Sequence, residues 1–125
     1  MKKIFIIAAK RTAIGKFGGS LAGFSPAEMA SAVIKNILEE TKINPSNLDE
    51  VIVGNILMAG QKQGIARQAS IKSGIPDTVP AWGLNMICGS GMKAIHTAIN
   101  NIRAGEANLI LAGGTENMSN APYIL

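Results

Sequence analysis

Short apolar runs alternate with helix-like segments along this chain, and that alternation restricts the fold more than any single motif. Strand-like runs fall at Lys3–Ala9, Val51–Leu57, Ala81–Ile87 and Asn108–Ala112. Each is short and nearly continuously apolar, as expected for strands buried on both faces. Helical patterns fill the intervals from Pro26, from Ile65 and from Met92. Strand, helix, strand in repeated succession implies right-handed crossovers and a parallel sheet. The predicted architecture is therefore α/β, a β-α-β-α-β-α-β segment with helices packed on a mainly parallel sheet. The 125 residues suffice for about one domain with its own core. Abundant glycine with only 4% aromatic residues suits helices that lie close to the sheet.

Local signals mark where the elements begin and end. Ser25-Pro26-Ala27-Glu28 combines an S-x-x-E capping box with proline at the first helical position. Met29, Val33, Ile34, Ile37 and Leu38 then fall on one face, opposite Lys35, Asn36, Glu39 and Glu40. Asn44-Pro45-Ser46-Asn47 reads as a turn. Ile65 to Ser73 reads as a short helix ended by Gly74, and Pro76 and Pro80 bracket the next connection. Met92, Ile95, Ile99 and Ile102 recur at helical spacing, with Ala94 and Ala98 beside them, until Gly105 supplies a C-cap. Lys10 to Phe24 is a glycine-rich connection. Its Gly15-Lys16-Phe17-Gly18-Gly19 piece lacks the spacing of a phosphate-binding P-loop and reads as a structural loop.

Composition narrows the function. The net charge is +4, but the twelve Lys and Arg are scattered with no basic stripe and no interleaved aromatics, which argues against nucleic-acid binding. Met1-Lys2-Lys3 followed by Ile4–Ala9 has a brief likeness to a signal peptide. The apolar run is too short for an h-region and ends in Lys10-Arg11. No run approaches the ~20 apolar residues of a membrane span. One cysteine permits no internal disulfide. The expected location is the cytoplasm, with no membrane association.

That cysteine is Cys88, within Asn85-Met86-Ile87-Cys88-Gly89-Ser90-Gly91-Met92-Lys93-Ala94, where a strand-like run gives way to a helix. Gly89 and Gly91 permit a tight turn and close approach of a ligand. A cysteine at a helix N-terminus meets unpaired N–H groups and the positive end of the dipole, which favour thiolate over thiol. Such a residue is either a nucleophile awaiting an acyl group or a small buried hydrophobe in a turn. His96, the single histidine, is no partner within this helix, because eight residues place it about 12 Å along the axis and ~80° around it. One Cys and one His form no metal-ligand cluster, so no metal is expected. Glu116 is a candidate base at the sheet edge, or a carboxylate that fixes its loop through backbone N–H groups. In open α/β sheets ligands bind beyond the carboxyl ends of strands. Cys88 and Gly113-Gly114 both belong to that edge, the glycines either as a close approach or as a plain strand exit.

The sequence resembles the thiolase family, in particular the N-terminal part of its acetyl-CoA acetyltransferases. The matching pieces run in order along the chain: Ala9-Lys10-Arg11-Thr12 with Gly15 to Leu21, Val53-Gly54-Asn55, Ala66-Arg67-Gln68-Ala69, and Asn85 to Ala94. Ile102 to Gly105, Ala112 to Ser119 and Ala121-Pro122-Tyr123 complete the set. The resemblance implies a thiolase-like layered fold, with Cys88 as the acylated nucleophile and its backbone N–H in the oxyanion hole. It also implies reversible Claisen chemistry, two acetyl-CoA giving acetoacetyl-CoA and free CoA through an acyl-cysteine. Acetyl-CoA and acetoacetyl-CoA would be substrates, with no cofactor beyond these coenzyme A thioesters. The full-length enzyme would be a homodimer or homotetramer.

One departure bears on activity. The family's Gly-His-Pro, Cys-x-Gly-Gly-Gly and Asn-Glu-Ala-Phe motifs do not occur in this sequence. Residues 1–125 thus read as a truncated N-terminal thiolase domain segment, without the loop region and C-terminal thiolase domain. The segment is expected to have little or no turnover alone. Two other readings are a ketoacyl-synthase-type condensing enzyme and a non-catalytic thiolase-fold dimerisation module.

Overall fold

A computed structural model describes residues 3–125. Met1 and Lys2, the charged start weighed against a signal peptide, lie outside the described residues. Helix α1 spans Pro26–Thr41, strand β1 Glu50–Gly54, helix α2 Ile65–Lys72, strand β2 Ala81–Leu84, helix α3 Ser90–Ala104 and strand β3 Ile110–Gly114. The strands form a parallel sheet in the order β2-β1-β3. In register, Val51 faces Ala81 on one side and Leu111 on the other, and Gly54 faces Leu84 and Gly114.

The helices make two layers around this sheet. Val51 and Val53 point into a core with Ile34 and Leu38 of α1 and Ala66 and Ala69 of α2. Ile52, between them in sequence, points to the opposite face and meets Ala94 and Ala98 of α3. Alternation along one strand thereby serves both layers, and Val51 and Ile52 are both fully buried.

Local signals hold at the helix ends. Ser25 and Glu28 form the full capping box: the Glu28 N–H donates to Ser25 Oγ, and the Ser25 N–H donates to Glu28 Oε2 at 2.8 Å. Gly105 ends α3 in the left-handed region at φ 83°. In the glycine-rich connection, the Gly19 N–H donates to the Lys16 carbonyl and the Gly18 N–H to Ser119 Oγ, so this piece is a structural loop.

Three expectations are corrected. Lys3–Ala9 is not a strand: residues 3–16 carry no regular structure, and Phe5 and Ile6 are 75% and 78% exposed. Apolar character alone does not make a strand; a ladder partner is also required. Among the described residues the sheet holds β2, β1 and β3 alone, and this run pairs with neither of its edge strands. The N-terminal run instead lines an apolar cavity of about 900 Å³ with α1, α3 and β3. The element order is accordingly α-β-α-β-α-β. The strand expected over Ala81–Ile87 stops at Leu84, because Asn85 to Gly89 fold into a tight turn. The last strand runs to Gly114, so Gly113 and Gly114 are inside β3 rather than beyond it.

Candidate active site

Backbone contact between α3 and the sheet positions the site. A Cβ built on Gly54 would sit 2.4 Å from the Ser90 carbonyl carbon and 2.7 Å from the Gly91 nitrogen. One built on Gly114 would sit 3.0 Å from the Gly91 Cα. The first turn of α3 therefore rests directly on the carboxyl ends of β1 and β3, a separation that only glycine allows. The same closeness decides which face of α3 is buried. Ala94 is 0% exposed, whereas Met92 is 78% exposed and Ile95 lines the apolar cavity.

Between β2 and α3 the chain reverses through Asn85–Gly89. The Gly89 N–H donates to the Met86 carbonyl at 3.1 Å and the Ser90 N–H to the Ile87 carbonyl at 3.0 Å. Ile87 takes φ 51°, a left-handed conformation that disfavours β-branched side chains. Cys88 follows it, exposed and two residues before the start of α3. Gly89 is the N-cap and supplies no side-chain cap, while the Ser90 N–H of the first turn is taken by the Ile87 carbonyl.

A cavity of about 300 Å³ opens beside the thiol. Its walls are Gly54 and Ile56 from β1 and its exit, Gly114 to Glu116 from β3 and its exit, and Ile87, Cys88, Ser90 and Gly91. The edge predicted from strand order thus brings Cys88, Gly114 and Glu116 together. Gly113 is inside the strand with open space around its Cα.

Glu116 fixes the opposite wall. One carboxylate oxygen accepts from Asn55 Nδ2 at 2.9 Å and from the Leu57 N–H at 3.1 Å, and the other from the Ile56 N–H at 2.9 Å. Of the two roles open in the sequence, the loop-fixing carboxylate is the one observed. Asn55 Nδ2 also donates to the Thr115 carbonyl, the Thr115 N–H to the Gly54 carbonyl, and Thr115 Oγ1 to the Pro26 carbonyl. Both loops at the carboxyl edge are thereby locked to each other and to the start of α1. Asn117 Nδ2 extends the lock to the carbonyls of Leu21, Ala22 and Phe24.

His96 is exposed on α3, and the cavity beside Cys88 does not include it. Among the described residues no group of three or more His, Cys, Asp or Glu could hold a metal ion. Sequence reasoning missed Asn55, Ile87 and Ser90 as organisers of this site. No periodicity or spacing marks them, since their partners depend on how β1, the turn and β3 meet. An Asn directly after a buried strand was the one available hint.

Comparison with known proteins agrees with this arrangement. The chain matches the family described as "Thiolase, N-terminal domain" over residues 4–125. It is 52% identical over 125 residues to an acetyl-CoA acetyltransferase of Pseudomonas aeruginosa, covering 100% of this chain and 32% of that protein. It is 50% identical over 125 residues to another of that name from Cupriavidus necator, again covering 32% of it. The crystal structure of an Ascaris suum thiolase in complex with coenzyme A superposes with a TM-score of 0.89 at 38% identity, over 92% of this chain and 30% of that one. A Bacillus anthracis acetyl-CoA acetyltransferase gives 0.84 at 37% identity, over 89% and 28%. The chain spans about a third of the length of the curated relatives it matches. With a family match over residues 4–125, the chain belongs to the thiolase family and corresponds to its N-terminal domain.

Proposed function

We propose that this chain supplies the nucleophilic half of an acetyl-CoA acetyltransferase, with Cys88 as the acyl acceptor. The observation that carries the reading is the exposed Cys88 thiol beside the open first turn of α3, at a cavity where β1 and β3 end. A thiolate there attacks the thioester carbonyl of acetyl-CoA. The new bond is Cys88 sulfur to acetyl carbon; the bond broken is carbon to CoA sulfur, and the departing CoA thiolate takes up a proton. Backbone N–H groups, that of Cys88 among them, would steady the oxyanion during this step. A second acetyl-CoA then gives up an α-proton to a base, its carbanion bonds to the acetyl carbon, and the bond from that carbon to the Cys88 sulfur breaks, releasing acetoacetyl-CoA and the Cys88 thiolate. The names of the relatives and the coenzyme A complex of one of them support these substrates.

Proton abstraction in the second step needs a base, and neither Glu116 nor His96 among the described residues is placed to serve. Both oxygens of Glu116 are committed to holding the 55–57 loop. His96 is on the exposed face of α3. The segment, residues 1–125 of an N-terminal thiolase domain, accordingly takes the acetyl group but does not turn over. The full-length enzyme acts in the cytoplasm as a homodimer or homotetramer and needs no cofactor beyond its CoA thioester substrates. No helix among the described residues is long and apolar enough to cross a membrane.

The test is mass spectrometry of the purified chain after incubation with acetyl-CoA. One acetyl group on the Cys88 peptide, absent in Cys88→Ser, is the expected result. Acetylation elsewhere, or none, refutes the assignment of the nucleophile. Steady-state thiolysis of acetoacetyl-CoA at the rate of an intact relative refutes the division of labour. Transfer from acyl-carrier-protein thioesters but not from CoA esters would place the chain with ketoacyl synthases instead.

A further inference from the structure

The residue before the cysteine is the one strained point of the site. Ile87 is β-branched yet takes φ 51°. For such a residue the left-handed region persists only where the surroundings over-determine it. Every backbone polar group of Ile87 is tied down. Its N–H donates to Asn85 Oδ1 at 2.9 Å. Its carbonyl accepts twice from Ser90, from Oγ at 2.6 Å and from the N–H at 3.0 Å. Ser90 Oγ also accepts from the Met86 N–H at 2.9 Å, so one hydroxyl bridges both sides of the turn. Ser90 is 4% exposed and held against Gly54, which leaves its hydroxyl little freedom to turn away.

We propose that Ser90, with Asn85, is a positioning residue that holds Ile87 in its left-handed conformation and thereby keeps Cys88 on the wall of the cavity where β1 and β3 end. This deepens the proposed acyl-acceptor role and rests on it only for its purpose; the geometric claim concerns the thiol itself. Without the Ser90 hydroxyl, Ile87 relaxes toward the extended region and the chain rotates ahead of Cys88. Cys88 then shifts from its place on the cavity wall beside Ser90 and Gly91, at the start of α3 where cysteines react readily. Glycine at 87 occupies the left-handed region without a steric penalty and has no need of the clamp.

Cys88 is the single cysteine, so iodoacetamide alkylation at one fixed pH reads this site alone. Ser90→Ala is expected to slow alkylation about tenfold, the population change that release of left-handed strain produces. Ile87→Gly sets a reference rate of its own, and adding Ser90→Ala to it should change that rate by less than about twofold. A general loss of packing would not be rescued in this way. Parent-like alkylation of Ser90→Ala, or a double variant slowed about tenfold against Ile87→Gly, overturns the proposal. Should Ser90→Ala fail to fold by circular dichroism, Asn85→Ala removes the other restraint from an exposed position. It must be slowed in the same sense and rescued by Ile87→Gly, and absence of either effect overturns the proposal equally. Because no acetyl-CoA is used, failure here is distinct from failure of the acetylation test.

Discussion

Adding one methyl group to Gly54 should be among the most damaging small changes available to this chain. Gly54 has an ordinary strand conformation, so the penalty of Gly54→Ala is steric rather than torsional. The new Cβ would lie 2.4 Å from the Ser90 carbonyl carbon, against 3.4 Å for ordinary contact, so about 1 Å of movement is required. Its near neighbours are all backbone: Ser90 C, Ser90 O and Gly91 N. No side chain can rotate aside, and either β1 or the start of α3 must shift. Overpacking of a well-packed core costs roughly 1–3 kcal/mol, and a backbone-on-backbone clash in the central strand belongs at the upper end. A loss near 3 kcal/mol is a large share of the ~5–15 kcal/mol that holds a domain together. With a urea slope of roughly 1.5 kcal/mol/M, the midpoint should fall by about 2 M. Far-UV circular dichroism against urea measures this directly. Gly113→Ala is the control, because nothing lies within 4 Å of its new Cβ. It should leave the midpoint unchanged or slightly raised, by less than about 1 kcal/mol. A Gly54→Ala midpoint within error of the parent, or equal damage from Gly113→Ala, would refute the claim that backbone contact seats α3 on the sheet.

Glu116→Gln replaces a carboxylate that accepts from three N–H donors with an amide that turns its own N–H groups toward some of them. Hydrogen bonds to a charged group are worth about 1.5–3 kcal/mol, so a stability loss near 2 kcal/mol is expected in the same urea assay, and a loss under about 0.5 kcal/mol contradicts the loop-fixing role. Glu28 is held below its ordinary carboxylate value first by the Ser25 N–H and then by the Ser25 hydroxyl, both donating to it. A carboxylate whose folded-state value is depressed stabilises above its unfolded value and loses that contribution as pH falls through the folded one. The gap in melting temperature between the parent and Glu28→Ala should therefore be full at neutral pH and close as pH falls below about 4.5; a constant gap refutes the capping account. Asn117→Ala removes one amide that donates to three carbonyls between Leu21 and Phe24. Hydrogen exchange over residues 18–24 should quicken by tenfold or more (about 1.4 kcal/mol of local opening), and unchanged protection there rules out the anchor.

What the sequence determined by itself was whatever a few neighbouring residues can specify. The Ser25–Glu28 box, Gly105 at the end of α3 and the helical period from Met92 are each contained within a few turns of chain, and the alternation that implies a parallel sheet is a succession of such local signals. The position of Cys88 at a strand-to-helix junction was legible for the same reason. Tertiary structure decided pairing and burial. Lys3–Ala9 has the composition of a strand but pairs with none: β1 is flanked by segments about 30 and 60 residues further along the chain, and the run lines the apolar cavity with α1, α3 and β3. Ile95, Ile99 and Ile102 of α3 line the large cavity, while Ala94 and Ala98 pack on Ile52 of the sheet. That outcome follows from glycines on two distant strands that draw the helix down to backbone contact. Glu116 became a loop clamp rather than a base once Asn55, Ile56 and Leu57, some 60 residues earlier, were brought beneath it. The strain at Ile87 depends likewise on a buried serine whose hydroxyl has nowhere else to point. Local sequence encodes conformations that short-range sterics and caps decide. The site depends on contacts whose entropy of closure is met only when the whole sheet forms.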